Sequence, residues 1–276
     1  MTKNSIHFWR RTIQTAIAVF FILAPLLNAN GFKFIWGNFL NMHIGSLIFS
    51  DPLAVLQVIA NNRYVPSGLL MGAGLVLTIA FFFGTIFCSW ICPFGLLSEL
   101  INRFALRFTP KMFTNIKFPG NAFAIKAVVF CAGFLIAIMF FGSSALNKIS
   151  LPFQYSNIFQ YLLMQNYLYG AVWFLLAILA AEFIFSKRLW CRWICPQSVL
   201  IAITGQCNPF GLKILFAKKN CISIKAFSPC QKACSLDLDP RNLHFLNRIQ
   251  CTNCGDCIDA CRKTGKALNF GIGKSV

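Results

Sequence analysis

Four long apolar segments constrain the fold of this chain more than any other feature. A helix needs about 20 apolar residues to cross a bilayer core of roughly 30 Å. Segments close to that length lie near residues 12–29, 67–87, 123–142 and 169–186. Only 12% of the residues are charged, against about 25% in an ordinary soluble domain. The sequence therefore predicts a mainly α-helical membrane protein with a four-helix transmembrane bundle.

Basic residues predict the orientation of these spans. The chain carries 25 Lys and Arg against 7 Asp and Glu. Four spans put both termini on one side, which then holds 22 basic residues, while the opposite loops hold only Lys33, Arg63 and Lys148. Because Lys and Arg accumulate in cytoplasmic segments, we expect a bacterial inner-membrane protein with both termini in the cytoplasm. The basic excess is then an orientation signal, and no nucleic-acid partner is expected. No small-residue cleavage site follows the first span, which favours a retained helix over a signal peptide.

The chain also repeats itself with a shift of 103 residues. Residues 88–93 read CSWICP and residues 191–196 read CRWICP. Each half contains an outward helix, an outer loop, an inward helix and then this CxxxCP motif, which is typical of parallel repeats related by an axis along the membrane normal. Apolar stretches in the outer loops predict short surface helices at 34–40, 52–59 and 156–163.

The paired thiols of the two motifs suggest one shared site. On a helix, Cys88 and Cys92 lie on one face, and so do Cys191 and Cys195, while the proline that follows each pair stops or bends the helix. If the repeat axis brings the motifs together, four thiols could hold a further metal or iron–sulfur centre. They could also be redox thiols beside a quinone pocket. The alternative is packing between helices, since free Cys is often buried, and this is the role expected for Cys131.

A second cysteine-rich region lies near the end of the chain. Residues 251–261 read CTNCGDCIDAC. This is the Cys-x2-Cys-x2-Cys-x3-Cys spacing of bacterial ferredoxins, in which three thiolates hold one iron–sulfur cluster and the fourth reaches another. Crossed ligation assigns a 4Fe-4S cluster to Cys234, Cys251, Cys254 and Cys257. A disulfide knot or a zinc site fits this spacing less well, and a reducing cytoplasm disfavours disulfides.

An incomplete partner run predicts a second cluster. Cys221, Cys230 and Cys234 occupy the first, third and fourth positions of the pattern, and the second position has no cysteine. The second cluster would then be held by Cys221, Cys230 and Cys261, with Cys207 as the nearest spare thiol. A three-iron cluster or a ligand of another kind is the alternative to Cys207.

Several single residues outside these motif thiols also have expected roles. Trp90 and Trp193 lie between the motif thiols and suit the membrane interface. Glu182 is the one acid inside a predicted span, so it is either a functional group or a side chain that reaches the interface. His43 and His244 are expected to be ordinary surface histidines.

Taken together, these parts resemble the NapH/MauN type of ferredoxin-like membrane protein over essentially the whole chain. Besides the spans, the CxxxCP motifs and the ferredoxin run, the resemblance includes SDPLAVLQ at 50–57 and ALNFGIG at 267–273. We expect residues 1–200 to form the transmembrane domain. Residues 201–276 are expected to form a cytoplasmic, bacterial-ferredoxin-like α+β domain with two iron–sulfur clusters.

The resemblance implies a quinol dehydrogenase subunit. Such a subunit takes electrons from menaquinol or ubiquinol and passes them, with an iron–sulfur or c-type cytochrome partner subunit, toward a periplasmic nitrate or nitrous oxide reductase. Related proteins serve oxidase copper delivery, so the alternative is an iron–sulfur redox protein for metal reduction or for oxidase and reductase assembly. A third hypothesis is a passive scaffold for a partner ferredoxin, which would need neither quinone nor intact motif cysteines.

Overall fold

The computed structural model is mostly helical and describes the greater part of the chain. The described residues are 5–31, 35–61, 64–108, 122–141, 145–165, 170–221, 229–241, 248–262 and 265–272. Some predicted features lie outside them: Lys33, Arg63, His244, and residues 142 and 169 at the ends of two predicted spans.

The described helices before residue 208 fall into two halves that match the repeat. The first half contains α1 (Ser5–Ala29), α2 (Pro52–Asn61), α3 (Ser67–Phe83), α4 (Ile86–Trp90) and α5 (Pro93–Phe108). The second half contains α6 (Ala122–Ile136), α7 (Ala145–Ile149), α8 (Leu151–Gln165), α9 (Gly170–Phe185) and α10 (Gln197–Cys207). Two π-helical turns belong to the second half, at Ala137–Phe141 and Trp190–Ile194.

Two helical runs among the described residues are long and apolar enough to cross a membrane, Ile6–Asn28 and Ala122–Phe140. The other two predicted spans correspond to shorter helices, with 17 residues in α3 and 16 in α9. A helix of 17 residues rises about 26 Å, which is less than a bilayer core of roughly 30 Å. The four-helix bundle therefore stays a prediction.

The two shorter helices end where the backbone turns left-handed. Gly84 follows α3 with φ 67°, and Ser186 follows α9 with φ 50°. Glycine adopts such a conformation without strain. At Gly84 a side chain would in addition bring its Cβ within 3.1 Å of Asn253 Nδ2. The chain thus changes direction just before each CxxxCP motif.

Apolar side chains cover the outer face of α6 and of the π-helical turn that follows it. Val128, Leu135 and Met139 are 67%, 63% and 76% exposed. Contiguous exposed apolar surface of this kind marks a lipid or protein contact. The placement agrees with a helix that meets lipid, and it also corrects one prediction. Cys131 is exposed on this helix, so it is not packed between helices.

A small sheet replaces the first predicted outer helix. Strands β1 (Ile35–Asn38), β2 (Asn41–Ile44) and β3 (Leu47–Ser50) pair antiparallel in the order β1-β2-β3. The predicted helix at 34–40 is therefore wrong. The reason is local: Gly37 has φ 115°, and Asn38 Oδ1 accepts hydrogen bonds from the N–H groups of Leu40 and Asn41 at 3.0 and 3.1 Å, which closes the turn. The other two outer helices are present as α2 and α8.

The cysteine-rich tail contains a two-stranded sheet and short helices. β4 (Leu212–Phe216) pairs antiparallel with β5 (Leu268–Ile272), so the two ends of the tail lie side by side. The helices α11 (Pro229–Lys232) and α12 (Asp256–Cys261) contain several of the predicted cluster cysteines. α10 crosses the predicted domain boundary at 200 and packs on α3, where a Cβ on Gly205 would lie 2.8 Å from Gly84 Cα.

Candidate functional site

The two CxxxCP motifs adopt related but unequal backbones. In the first, Cys88 lies in α4, the chain leaves the helix after Trp90, and Pro93 begins α5. Proline suits this first helical position, where its missing N–H costs nothing. In the second, Cys191 lies in the π-helical turn, and Pro196 precedes α10. Proline thus ends one segment and starts the next in both repeats.

All four motif cysteines line one small cavity of about 40 Å³, here called the motif pocket. It is lined by Cys88, Cys92, Cys191 and Cys195, together with Lys126 of α6. The structure therefore brings the two repeats together at their thiols. Burial, together with the neighbouring Cys195 and Cys191, raises the pKa of Cys88 to about 12. The Cys88 thiol is therefore neutral without a metal, and binding of a metal centre would displace its proton.

Two buried cations lie beside the four thiols. Lys126 is 5% exposed and donates to the backbone oxygen of Cys191 at 2.6 Å. Arg188 is 2% exposed, and its Nη2 lies 3.4 Å from Cys191 Sγ. Among the described residues no carboxylate lies within ion-pair distance of Lys126, and the pocket that it lines contains all four motif cysteines. A buried cation is costly unless a negative charge compensates it. The two cations are thus placed to compensate the negative charge of thiolates that bind a metal centre.

The four cysteines assigned to the first tail cluster also line one small cavity, of about 20 Å³. We call it the tail cavity; its cysteines are Cys234, Cys251, Cys254 and Cys257. Backbone N–H groups point at the sulfurs, and the N–H of Leu238 lies 3.4 Å from Cys234 Sγ. Hydrogen bonds of this kind stabilise cluster thiolates and tune their potential.

The second predicted set is only partly assembled. Cys230 and Cys261 are buried in one apolar core with Ile258, and Cys221 packs against it. Cys207 is exposed at the end of α10 and is not part of this core. Three of the predicted ligands of the second cluster, Cys221, Cys230 and Cys261, therefore lie together, and the structure adds no support for Cys207 as the missing ligand.

Side chains in and just before the first CxxxCP motif donate hydrogen bonds to the start of the ferredoxin run, residues 251–253. The hydroxyl of Thr85 donates to the backbone oxygen of Cys251, and Ser89 Oγ donates to that of Thr252 at 2.5 Å. Trp90 Nε1 donates to Asn253 O at 3.4 Å, so this tryptophan contacts the tail in addition to any interfacial role. Thr252 lines both the motif pocket and the tail cavity. The motif pocket and the tail cavity are therefore adjacent cavities with Thr252 in common.

Side chains in and just before the second CxxxCP motif contact the segment that follows Cys234, residues 235–237. Arg188 Nη1 donates to Ser235 Oγ at 3.3 Å, and Arg192 Nη1 donates to Leu236 O at 2.7 Å. Lys187 pairs with Asp237 at 3.1 Å. Each repeat thus fixes one of the two segments that supply cysteines to the tail cavity.

A buried ion-pair network, which the sequence reasoning missed, fastens the tail to α1 and α5. Arg10 is fully buried and donates to both carboxylate oxygens of Glu99, at 2.8 and 2.7 Å, and to both of Asp256, at 2.9 Å. Arg11 and Arg103 also pair with Glu99, at 2.6 and 3.1 Å. Burial would raise the pKa of Glu99, but the arginines outweigh it and lower that pKa to about 2. The sequence did contain an indication of this network. Glu99 and Asp256 are two of only seven acidic residues in the chain, and both bind Arg10.

The structure also gives the contacts of three single residues that the sequence analysis discussed, Glu182, His43 and Trp193. Glu182 is fully buried and accepts a hydrogen bond from the backbone N–H of Trp190 at 3.0 Å, so its carboxylate does not reach the interface. His43 stacks on Trp36 at 3.9 Å between ring centroids. Arg192 lies over the ring of Trp193, 5.7 Å from its centroid.

The donor sets of both cavities fit iron–sulfur clusters. Each consists of four thiols, and each has N–H or cationic groups directed at sulfur. Among the described residues no three His, Cys, Asp or Glu side chains are grouped as ligands of a single metal ion would be. A cube of iron and sulfide keeps its cysteine ligands farther apart than a single ion does, so this spacing is compatible with clusters.

Paired thiol cavities and a ferredoxin cysteine run are features of ferredoxin-type iron–sulfur proteins. The family described as 4Fe-4S binding domain matches the chain twice, at residues 64–111 and 168–217. Each match contains one CxxxCP motif. Their first residues lie 104 positions apart, close to the shift of 103 seen in the motifs, so the repeat is supported independently.

Three known proteins show how far the similarity extends. The chain is 24% identical to the ferredoxin-type protein NapH of Haemophilus influenzae, over 94% of this chain and 87% of that protein. It is 25% identical to the NapH of Escherichia coli, over 92% and 87%. It is 26% identical to the regulatory protein NosR of Pseudomonas aeruginosa, over 65% of this chain and 23% of NosR. No solved structure matches. The predicted resemblance to the NapH type of ferredoxin-like protein is confirmed.

Proposed function

We propose that this protein is a membrane-bound electron-transfer subunit that oxidises menaquinol or ubiquinol and passes the electrons toward a respiratory reductase. One observation carries the proposal: the motif pocket and the tail cavity share Thr252 as a wall. A redox centre at the end of an apolar helix bundle next to a ferredoxin-type centre is the arrangement that electron transfer from a lipid-soluble donor needs.

The proposal assigns a separate role to each group of cysteines. Bound clusters would supply one-electron acceptors. Cys234, Cys251, Cys254 and Cys257 would hold the first tail cluster, and Cys221, Cys230 and Cys261 would hold part of the second. The motif cysteines would form a further redox site on the membrane side. Lys126 and Arg188 would balance negative charge on its thiolates, since buried charges must be paired.

The similarity to NapH proteins supports a place in a reductase system, in which a partner subunit receives the electrons. The exposed apolar face of α6 supports a membrane location. We further infer four spans, with α3 and α9 completing the bundle, and both termini on the basic, cytoplasmic side.

The test is reduction of the anaerobically purified protein by menadiol, a soluble menaquinol analogue. We expect a broad visible charge-transfer band that bleaches on addition of menadiol. Cys257→Ser should lose part of the band, whereas Cys131→Ser should keep it, because Cys131 is exposed on α6. Colourless protein in which all thirteen thiols titrate would exclude the clusters. A coloured protein that menadiol cannot reduce would exclude quinol as the donor.

A further inference from the structure

A third cavity, of about 230 Å³, lies between α1, α3 and the β1–β3 sheet. Ten of the twelve described residues that line it are apolar, and the polar ones are Ser50 and Asp51. Its lining is that of a site for a small organic molecule, which is typically apolar with a few polar groups that fix orientation. We call it the outer cavity.

Aromatic rings connect the outer cavity to the motif pocket. Phe39 and Phe87 line both. Their ring centroids are 5.7 Å apart, and Phe21 is also 5.7 Å from Phe39. Phe87 directly precedes Cys88 in the chain. A planar ring bound in the outer cavity would therefore lie one aromatic side chain away from the motif thiols.

Asp51 supplies the ionisable group of the outer cavity. Its Oδ2 accepts a hydrogen bond from Gln197 Nε2 at 3.0 Å, and Gln197 itself lines the motif pocket. The backbone N–H groups of Leu53 and Ala54 also point at the carboxylate. Asp51 thus caps α2, and capping alone would explain an Asp or an Asn at this position. It does not explain an apolar cavity of this volume against the carboxylate.

We propose that the outer cavity binds the ring of a quinol and that the Asp51 carboxylate accepts a hydrogen bond from a quinol hydroxyl. The proposal rests on the proposed function and names the site of its electron donor. The aromatic walls suit a planar ring, and one acceptor beside an apolar wall suits a molecule with hydroxyl groups on an otherwise apolar frame. The isoprenoid tail would leave between the helices toward lipid.

The test uses the fluorescent quinol analogue 2-heptyl-4-hydroxyquinoline N-oxide, whose dissociation constant is measured by fluorescence titration of the detergent-solubilised protein. Val76 and Leu75 are neighbours on α3; Val76 lines the outer cavity and is 8% exposed, while Leu75 is 39% exposed. We expect Val76→Trp to fill the cavity and to weaken binding about tenfold or more. Leu75→Trp should bind like the wild type.

Asp51→Asn is the second variant, because Asn caps a helix as well as Asp does and can keep the contact with Gln197. We expect it to weaken binding about tenfold while the helical circular dichroism and the visible spectrum stay those of the wild type. Binding that is unchanged in Val76→Trp and in Asp51→Asn would overturn the outer cavity and leave quinol oxidation standing. A wild-type protein that menadiol reduces but that does not bind the analogue would also overturn the outer cavity alone. Loss of both binding and reduction would overturn both proposals. Extraction of a phospholipid that Val76→Trp alone loses, with analogue binding unchanged, would identify a lipid site and overturn the inference.

Discussion

Arg10 and Asp256 are 246 positions apart in the chain and in direct contact in the structure. Nη2 of Arg10 lies 2.9 Å from each carboxylate oxygen of Asp256, and Asp256 stands between two cysteines of the tail cavity. The same arginine binds Glu99 on α5. The first helix of the chain is thereby tied to the ferredoxin run by a charge pair that is almost entirely shielded from water.

Arg10→Met should release the tail from the helices. Removing one partner of a buried pair leaves the other charge uncompensated, at a cost of roughly 3–5 kcal/mol. We expect a lower thermal midpoint and faster cleavage within the tail in limited proteolysis. Arg262→Met is the control, because the Arg262 side chain is 43% exposed and its ion pair among the described residues is with Asp259, three positions earlier, an arrangement that contributes little. Equal behaviour of the two variants would mean that the network does not fasten the tail.

Gly95→Ala should disturb the first motif. Its Cβ would lie 2.6 Å from the backbone oxygen of Cys88, so α5 or the motif must shift. Such overpacking typically destabilises by about 1–3 kcal/mol. Gly74→Ala on α3 is the matched control, because nothing lies within 4 Å of its Cβ. Denaturant unfolding and thiol labelling at Cys88 measure both effects; a Gly95→Ala protein as stable and as protected as Gly74→Ala would contradict the close packing.

The four motif cysteines should act as one unit. If they hold one centre, Cys92→Ser alone should lower quinol-dependent reduction almost as far as replacement of all four, since groups that act together are strongly non-additive. Iron per protein should fall in Cys92→Ser if the centre contains iron, and should be unchanged if the thiols themselves are redox-active. Small, independent effects, with reduction retained in the quadruple variant, would assign these cysteines to packing; Cys131→Ser serves as the unaffected reference.

Asp51 should make quinol binding depend on pH. Burial raises the pKa of Asp51 to about 6, although the hydrogen bonds from Gln197 and from the N–H groups of Ala54 and Leu53 oppose the shift. Among the described residues that line the outer cavity, Asp51 is the only ionisable side chain. The acceptor carboxylate is therefore present above pH 6 and is lost as the pH falls through that value.

We expect the affinity of the wild type for the quinol analogue to increase as the pH rises through about 6. The affinity of Asp51→Asn should not show this increase. Because both proteins experience any titration of the analogue itself, the difference between their profiles isolates Asp51. Parallel profiles would show that its carboxylate does not face the ligand.

The sequence determined the local features, because each depends on neighbours in the chain. Apolar runs predicted the long helices, although Gly84 and Ser186 stop two of them early through a left-handed backbone. Cysteine spacing predicted the ferredoxin run, and the shift of 103 residues predicted two related CxxxCP motifs. The predicted helix at 34–40 failed because a tight turn at Gly37 and Asn38 outweighs an apolar composition.

Only the tertiary structure decided what the local features do together. It brought Cys88 and Cys191 into one pocket, put Lys126 from a predicted membrane helix among the thiols, and set Asp51 against an apolar cavity. These contacts join residues far apart in the chain, and burial gives them their strength, because charges and hydrogen bonds act most strongly where water is excluded. The sequence shows which thiols and charged side chains the chain contains, whereas the packing of the two repeats around the tail decides which of them come into contact.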